Sequence, residues 1–479
     1  MDFAETAERE RLAVQESLQE QNPGWPTGAA QRRWRIAWLL GVGVLVNYFD
    51  RVNLSVSFNS LHAAFGVSDV VFGYLSGAYN WTYAACQLPI GIILDKFGVR
   101  RVGRIGSFLW SVASFAAAVT PSLNGLFGAR FLLGIGEAPT FPANAKAIGA
   151  WFPRSERSLA TSLFDAAAKF APAVGVPLLG AVLLAAGWRW SFALTGAISF
   201  AYFLVFWRIY RDPHEDAALT VAERCYIEDR SDPEIVGPDV AGPEIIGPEI
   251  VGPEAVEHGT TQSTAAWQET PSSLGHLLTQ RKVIGLALGF GAYNYVFYLL
   301  LTWLPRYLSS ALGVDLLHSS LYTSVPWLIA TALDVCVGGW LVDSLVRSGR
   351  DSSAVRRRVL IAGMAFGLGI LGAAYARDAA LALFWISVSI GGLSAAAPVA
   401  WSLPSLIARR PDVGKVGGII NFSGQISGIS APILTGYLVS SLHSYFWVFG
   451  VAAIYLVIGI LGYLFLLGKI EMPEMLNPA

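Results

Sequence analysis

Gly91-Ile92-Ile93-Leu94-Asp95-Lys96-Phe97-Gly98-Val99-Arg100-Arg101 decides how this chain is read. An apolar run stops at an acid, turns on a glycine and meets arginines, as a helix does on leaving an apolar medium at a charged boundary. The arrangement returns 248 positions later as Gly339-Trp340-Leu341-Val342-Asp343, followed by Arg347 and Arg350. Composition agrees with an apolar medium. Of 479 residues, 54% are hydrophobic and 14% charged, where a soluble domain carries roughly 25% charged residues. Mean hydropathy is +0.50. Forty-nine glycines and sixteen tryptophans suit helices packed in lipid with aromatic anchors at its borders. The net charge of −1 points to no nucleic-acid partner. Cys86, Cys225 and Cys336 stand far apart and suggest neither a disulfide framework nor a zinc site.

Working outward, apolar stretches recur near the ~20 residues that a spanning helix needs. They fall at 34–58, 71–94, 102–120, 122–149, 157–186, 190–210, 283–309, 318–343, 358–376, 379–407, 416–440 and 445–468, twelve in all. The connecting loops orient them. Arg32, Arg33, Arg35, Lys96, Arg100, Arg101, Arg104, Arg154, Arg157, Arg347, Arg350, Arg356, Arg357, Arg358, Arg409, Arg410 and Lys415 fall at one end of the spans. Only Arg189, Arg306 and Arg377 fall near the other. The positive-inside rule therefore places both termini in the cytoplasm of a multi-pass protein of the cell membrane.

Residues 1–33 are polar and acid-rich, without the start of a signal peptide, and read as a cytoplasmic tail; 469–479 reads as another. Between the sixth and seventh spans, 211–282 reads as a cytoplasmic linker. Pro233, Pro238, Pro243, Pro248 and Pro253 recur there every five residues in a PEIVG-like repeat, a composition that favours neither helix nor strand. The two six-helix blocks, 34–210 and 283–468, echo each other. Asn47-Tyr48 returns as Asn294-Tyr295 at an offset of 247, and Trp190-Ser191-Phe192 as Trp447-Val448-Phe449 at 257. Such repeats pack around a central site near the bilayer midplane.

Charges inside the spans are costly and mark candidate function. Span 1 holds Asp50 and Arg51; span 4 holds Arg130 and Glu137, two turns apart and so ~10 Å along one face. Span 2 presents Tyr79, Tyr83 and Gln87 at four-residue spacing. Asp165 and Lys169 are four apart in span 5, acid first, as in an internal ion pair. Either they neutralise each other or Lys169 faces the centre and takes a second substrate carboxylate. Asp334 in span 8 is a further intramembrane acid with no evident partner.

The loop signature resembles that of the major facilitator superfamily over nearly the whole chain. Three further segments are similar to its anion:cation symporter family, which includes galactonate, glucarate and hexuronate transporters. They are Asn47-Tyr48-Phe49-Asp50-Arg51, Trp81-Thr82-Tyr83-x-x-Cys86-Gln87-x-Pro89 and Arg130-x-x-x-Gly134-x-x-Glu137-Ala138-Pro139-x-Phe141-Pro142. The resemblance implies that Asp50 and Glu137 carry the coupled proton and that Arg130 modulates Glu137. It implies substrate contacts from Tyr48, Arg51, Tyr83 and Gln87, and from Asn421 in Gly418-x-x-Asn421-x-x-Gly424. Gly91, Asp95, Gly98, Arg101, Asp343 and Arg347 would gate the conformational change. Galactonate-type carriers have glutamine at the position of Lys169 and an uncharged residue at that of Asp165, a departure that leaves the substrate open.

The expectation is an all-α membrane protein of the major facilitator fold, with twelve spanning helices in two six-helix halves. It is a monomeric, proton-coupled symporter of small organic anions such as sugar acids, without cofactor. The alternatives are an organic anion exchanger or exporter and, outside transport, a membrane receptor. An ATP-driven pump is disfavoured by the lack of a Walker A loop, and an enzyme by the lack of a nucleophile elbow or an HExxH pair. Gly367-Leu368-Gly369-Ile370-Leu371-Gly372 matches a dinucleotide fingerprint only formally, because it lies within an apolar run.

Overall fold

The computed structural model describes residues 32–153, 156–228, 272–409 and 412–470. Both terminal tails, apart from Arg32, Arg33, Lys469 and Ile470, lie outside these residues, as does the PEIVG repeat. The described residues form helices and connections, with no strand among them. The helices are α1 (Arg32–Val56), α2 (Phe58–Phe65), α3 (Asp69–Val119), α4 (Leu123–Glu137), α5 (Thr140–Trp151), α6 (Arg157–Ala186), α7 (Trp188–Ile209) and α8 (Val221–Glu228). The second half follows with α9 (Leu274–Thr279), α10 (Arg281–Ala311), α11 (Leu316–Leu333), a π-helical stretch at Asp334–Leu341, and α12 (Val342–Arg347). It ends with α13 (Ser352–Gly367), α14 (Ile370–Ala374), α15 (Ala379–Ser402), α16 (Pro404–Ile407), α17 (Val413–Leu442), α18 (Tyr445–Leu461) and a second π-helical turn, Gly462–Leu467.

Each of the twelve expected spans lies on helix, and eight stretches are long and apolar enough to cross a membrane by length and composition alone. The other four are α1, the first part of α3, α4 with α5, and α17. α4 and α5 are 15 and 12 residues long, each too short on its own to cross a membrane, whereas α1, the first part of α3 and α17 carry charges, amides or glycines that lower their hydropathy. Large apolar side chains instead cover the outside of the bundle: Trp38, Trp340 and Phe465 are all more than 60% exposed, which lipid tolerates and water does not.

Local chemistry explains the breaks. Spans 2 and 3 are joined end to end in α3, where Gly98 takes φ 75°, ψ 165°, a left-handed turn open to glycine. Span 4 was expected as one helix over 122–149. It is divided after Glu137 because Pro139 has no N–H to continue the ladder, and α5 starts afresh at Thr140. Serine or aspartate side chains at Ser68, Ser122, Asp378 and Ser444 accept backbone N–H bonds and fix four helix starts.

The halves meet along two seams, α3 with α17 and α6 with α11. At the end opposite the basic loops the seams are tight. A Cβ on Gly436 would stand 2.4 Å from the Asp69 carbonyl oxygen, and one on Gly180 would stand 2.5 Å from Ser320 Oγ. Arg306 reaches across to Asp69 at 2.6 Å and lies over the Phe58 ring at 3.7 Å. Ser55 donates to the Thr302 carbonyl at 2.6 Å, and the Tyr74 and Tyr437 hydroxyls meet at 3.1 Å. At the basic end the packing is loose: a Cβ added at Gly91, Gly417 or Gly418 would meet nothing within 4 Å.

The ends of the 211–282 segment are more ordered than its composition suggests. Glu223 on α8 accepts from the Arg33 backbone N–H at 3.1 Å and pairs with its guanidinium at 3.2 Å. Arg33 also pairs with Glu156, and Arg32 with Asp216. These buried ion pairs bind the first part of the linker to the start of α1.

Candidate functional site

Span 1 sends its two charges to opposite sides. Asp50 points into its own half, where it accepts from Ser114 Oγ of α3 at 2.6 Å and Ser199 Oγ of α7 at 3.0 Å. It is 2% exposed, and among the described residues only hydroxyls hydrogen-bond its carboxylate. Arg130 donates to the Asp50 backbone carbonyl at 3.2 Å rather than to its side chain.

Arg51 turns toward the centre. Its Nε and Nη2 each lie 3.2 Å from Glu137 Oε2, and Nη2 also donates to Asn47 Oδ1 at 2.8 Å. Three tyrosine rings surround the guanidinium, Tyr48 at 4.2 Å, Tyr79 at 4.6 Å and Tyr83 at 5.7 Å from their centroids. Cation–π contact of this kind stabilises a desolvated cation by about 2 kcal/mol. Glu137 therefore pairs with Arg51, while Arg130 on the same helix reaches the Asp50 backbone carbonyl. Glu137 Oε1, Arg130 Nε and Tyr79 Oη are buried with no hydrogen-bond partner among the described residues, which leaves donors and an acceptor in reserve at this point.

The second half contributes amides. Asn421 Nδ2 donates to Gln87 Oε1 at 3.1 Å, joining α17 to α3, and Gln425 lies one turn further along α17. Asn80 donates to the Gly428 carbonyl at 2.9 Å along the same seam. Tyr298 of α10 stands beside both Arg51 and Gln425, and Phe297 meets Tyr48 edge-on at 6.1 Å.

Lys169 is 2% exposed and holds two acids, Asp165 Oδ2 at 2.5 Å and Asp334 Oδ2 at 2.5 Å. Its charge is thus committed to carboxylates of the protein. The partner missing for Asp334 in the sequence is a lysine on the other half.

The expected gating residues are dispersed. Gly98 makes its turn, but Arg101, Asp343 and Arg347 are exposed, and the Asp95 side chain lies outside the described residues. Arg347 donates to the Asp343 carbonyl, one turn back on its own helix. The cross-helix ion pair here belongs to Arg100, which binds Glu215 beyond α7 at 2.5 Å and holds that carboxylate below its ordinary range. Sequence reasoning missed Ser114, Ser199 and Tyr298. Ser107, Ser111 and Ser114 at helical spacing were the available signal, but small hydroxyls are common on packed membrane helices.

The profile for the Major Facilitator Superfamily matches residues 40–351. An uncharacterized transporter of Bacillus subtilis strain 168 is 36% identical over 92% of this chain and 95% of its own. The D-galactonate transporter of Escherichia coli O6:H1 is 31% identical over 93% of this chain and 99% of its own. A probable galactarate/D-glucarate transporter of Escherichia coli K12 is 29% identical over 92% and 96%. Among solved structures, a bacterial homolog of the human lysosomal transporter Spinster, inward-facing and unoccupied, superposes with a TM-score of 0.66 at 16% identity, covering 91% of this chain and 97% of that one.

Proposed function

The chain belongs to the Major Facilitator Superfamily, a family of transporters rather than enzymes, and on that premise we propose that it is a proton-coupled symporter of a polyhydroxylated monocarboxylate. One observation carries the reading: Arg51, caged by tyrosines, is shared between the centre and Glu137. A substrate carboxylate and Glu137 compete for the same guanidinium. When substrate takes Arg51, Glu137 loses its stabilising partner in a low-dielectric site and takes up a proton. Substrate and proton then enter together. Asp50, bonded only through hydroxyls, serves as the other protonatable acid of this half.

The substrate class follows from charge. Lys169 is occupied by two acids, so Arg51 is the cation offered to substrate, and one carboxylate suffices for it. Gln87, Asn421 and Gln425 are neutral donors and acceptors suited to hydroxyl groups. The relatives named for galactonate and for galactarate or glucarate support a sugar acid, and the committed Lys169 favours the monoacid. With the basic end in the cytoplasm of the cell membrane, the tight opposite end corresponds to an inward-facing state of a monomer.

Uptake by the purified protein in proteoliposomes tests this, with aldonates and aldarates assayed with and without an inwardly directed proton gradient. Accumulation of an aldonate that requires the gradient is expected. Counterflow without gradient-driven accumulation would identify an exchanger, and no movement of any sugar acid would overturn the substrate class.

A further inference from the structure

The mechanism above gives no proton role to Asp165 and Asp334, the two acids that share Lys169. At the centre of the bundle four carboxylates (Asp50, Glu137, Asp165 and Asp334) face three cations (Arg51, Arg130 and Lys169). A net charge in a low-dielectric interior is costly, so one acid in excess is a place for a proton. The excess sits in the Lys169 group, where one ammonium serves two carboxylates from different halves.

We propose that Asp334 is a further proton-carrying carboxylate, protonated as the seam between α6 and α11 opens and deprotonated as it closes. The proposal rests on the symporter reading above, with the two halves rocking to open the central site to one side at a time. Lys169 and Asp165 are four residues apart on α6, acid first, and stay paired however the halves move. Asp334 begins the π-helical stretch that follows α11 and reaches Lys169 across the shut seam. That stretch is held close to α15 at Gly338, where an added Cβ would lie 2.7 Å from the Ala395 carbonyl. A rigid-body rotation of the halves therefore carries Asp334 away with its own half.

Among the described residues, the parted Asp334 has no other cation to turn to. From α6 it faces Lys169 and Asp165, and from α10 the Tyr293 hydroxyl. α15 carries no ionisable side chain, and along its own span the nearest are Cys336, Asp343 and Arg347, the last two exposed toward the basic end. A carboxylate removed from its ammonium in apolar surroundings binds a proton from water, and on return to Lys169 it gives that proton back. Low pH thus favours the open seam and high pH the shut one. For one linked proton the open-to-shut ratio changes by up to about tenfold per pH unit.

The full-length protein in lipid nanodiscs tests this without any substrate. Spin labels at Ala186→Cys and Ala311→Cys, both exposed at the end opposite the basic loops, are placed in a background with Cys86, Cys225 and Cys336 replaced by serine. Pulsed electron resonance then reads the distance between the halves from pH 5 to pH 9. Asp334→Asn, a fixed neutral side chain, should raise the open population at high pH and flatten its pH dependence. Asp165→Asn leaves Lys169 wholly to Asp334 and should raise the shut population instead. Opposite shifts support the proposal. Unchanged pH dependence in Asp334→Asn, or a shift to the open form in Asp165→Asn, overturns it. Should Asp334→Asn fail to fold, the direction of the Asp165→Asn shift decides alone. Failure of sugar-acid uptake would sink the functional reading and leave this distance measurement intact.

Discussion

The two halves share a repeat but not a chemistry. The offset that aligns Asn47-Tyr48 with Asn294-Tyr295 places Phe297 and Tyr298 where the first half has Asp50 and Arg51. The first half buries Asp50, Arg51, Arg130, Glu137 and Lys169 in its spanning helices, whereas Asp334 is the buried charge described in the spanning helices of the second. The second half instead offers amides, hydroxyls and aromatic rings. Duplication supplied the scaffold, and titratable groups were concentrated on one side of it. On the proposed reading, substrate charge and the protons on Asp50 and Glu137 belong to the first half, while the second adds Asp334 and otherwise closes over the ligand with neutral contacts that form and break at little cost.

The sharpest way to break this contrast is at Arg51. Arg51→Ala removes the cation offered to substrate and leaves Glu137 buried without a partner, a change costing on the order of 3–5 kcal/mol. Sugar-acid affinity should fall by about a hundredfold or more, read by calorimetry on the purified protein. Retention of wild-type affinity would move the anion site out of the first half.

Next in size are the acids. Asp50→Asn and Glu137→Gln fix these positions in a proton-loaded form. Each should lower pH-driven accumulation by about tenfold or more while counterflow persists, because exchange does not require the proton to leave. Parallel assays on one batch of vesicles decide it. If both variants accumulate substrate fully, proton coupling does not run through this half.

Neutral contacts should matter less. Asn421→Ala deletes one amide hydrogen bond across the seam to Gln87, worth about 1 kcal/mol, so KM should rise about fivefold with kcat nearly kept. A loss as large as that of Arg51→Ala would show the second half to be an equal partner in binding. The smallest effect is expected in the linker. Removing 231–262 spares Glu223 and the ion pairs that fasten α8 to α1, and uptake should stay within about twofold of wild type. Abolished uptake in correctly inserted protein would assign the repeat a specific task.

Much of this was legible in the residues because the bilayer is a demanding solvent. A span must be long and apolar, its loops must be polar, and basic residues sort to one end, so the helical spans and their duplication follow from hydropathy and spacing. Charges that survive within spans identify themselves by their cost, and Asp50, Arg51, Glu137 and Lys169 were found in that way. What spacing could not give was partnership. Arg130 and Glu137 share a face of α4 two turns apart, yet Glu137 turns to Arg51 on another helix. Periodicity fixes which face a side chain occupies, but not which neighbouring helix lies opposite or at what height. Lys169 shows the same limit: its tie to Asp165 is local and readable, whereas its tie to Asp334 spans 165 positions and two halves. The sequence determined the medium, the helical spans and the identity of the charges, since each depends on residues close together in the chain. Only the tertiary structure decided which charges neutralise each other, because an ion pair in a low-dielectric interior is set by ångström distances between helices that the chain reaches by distant routes.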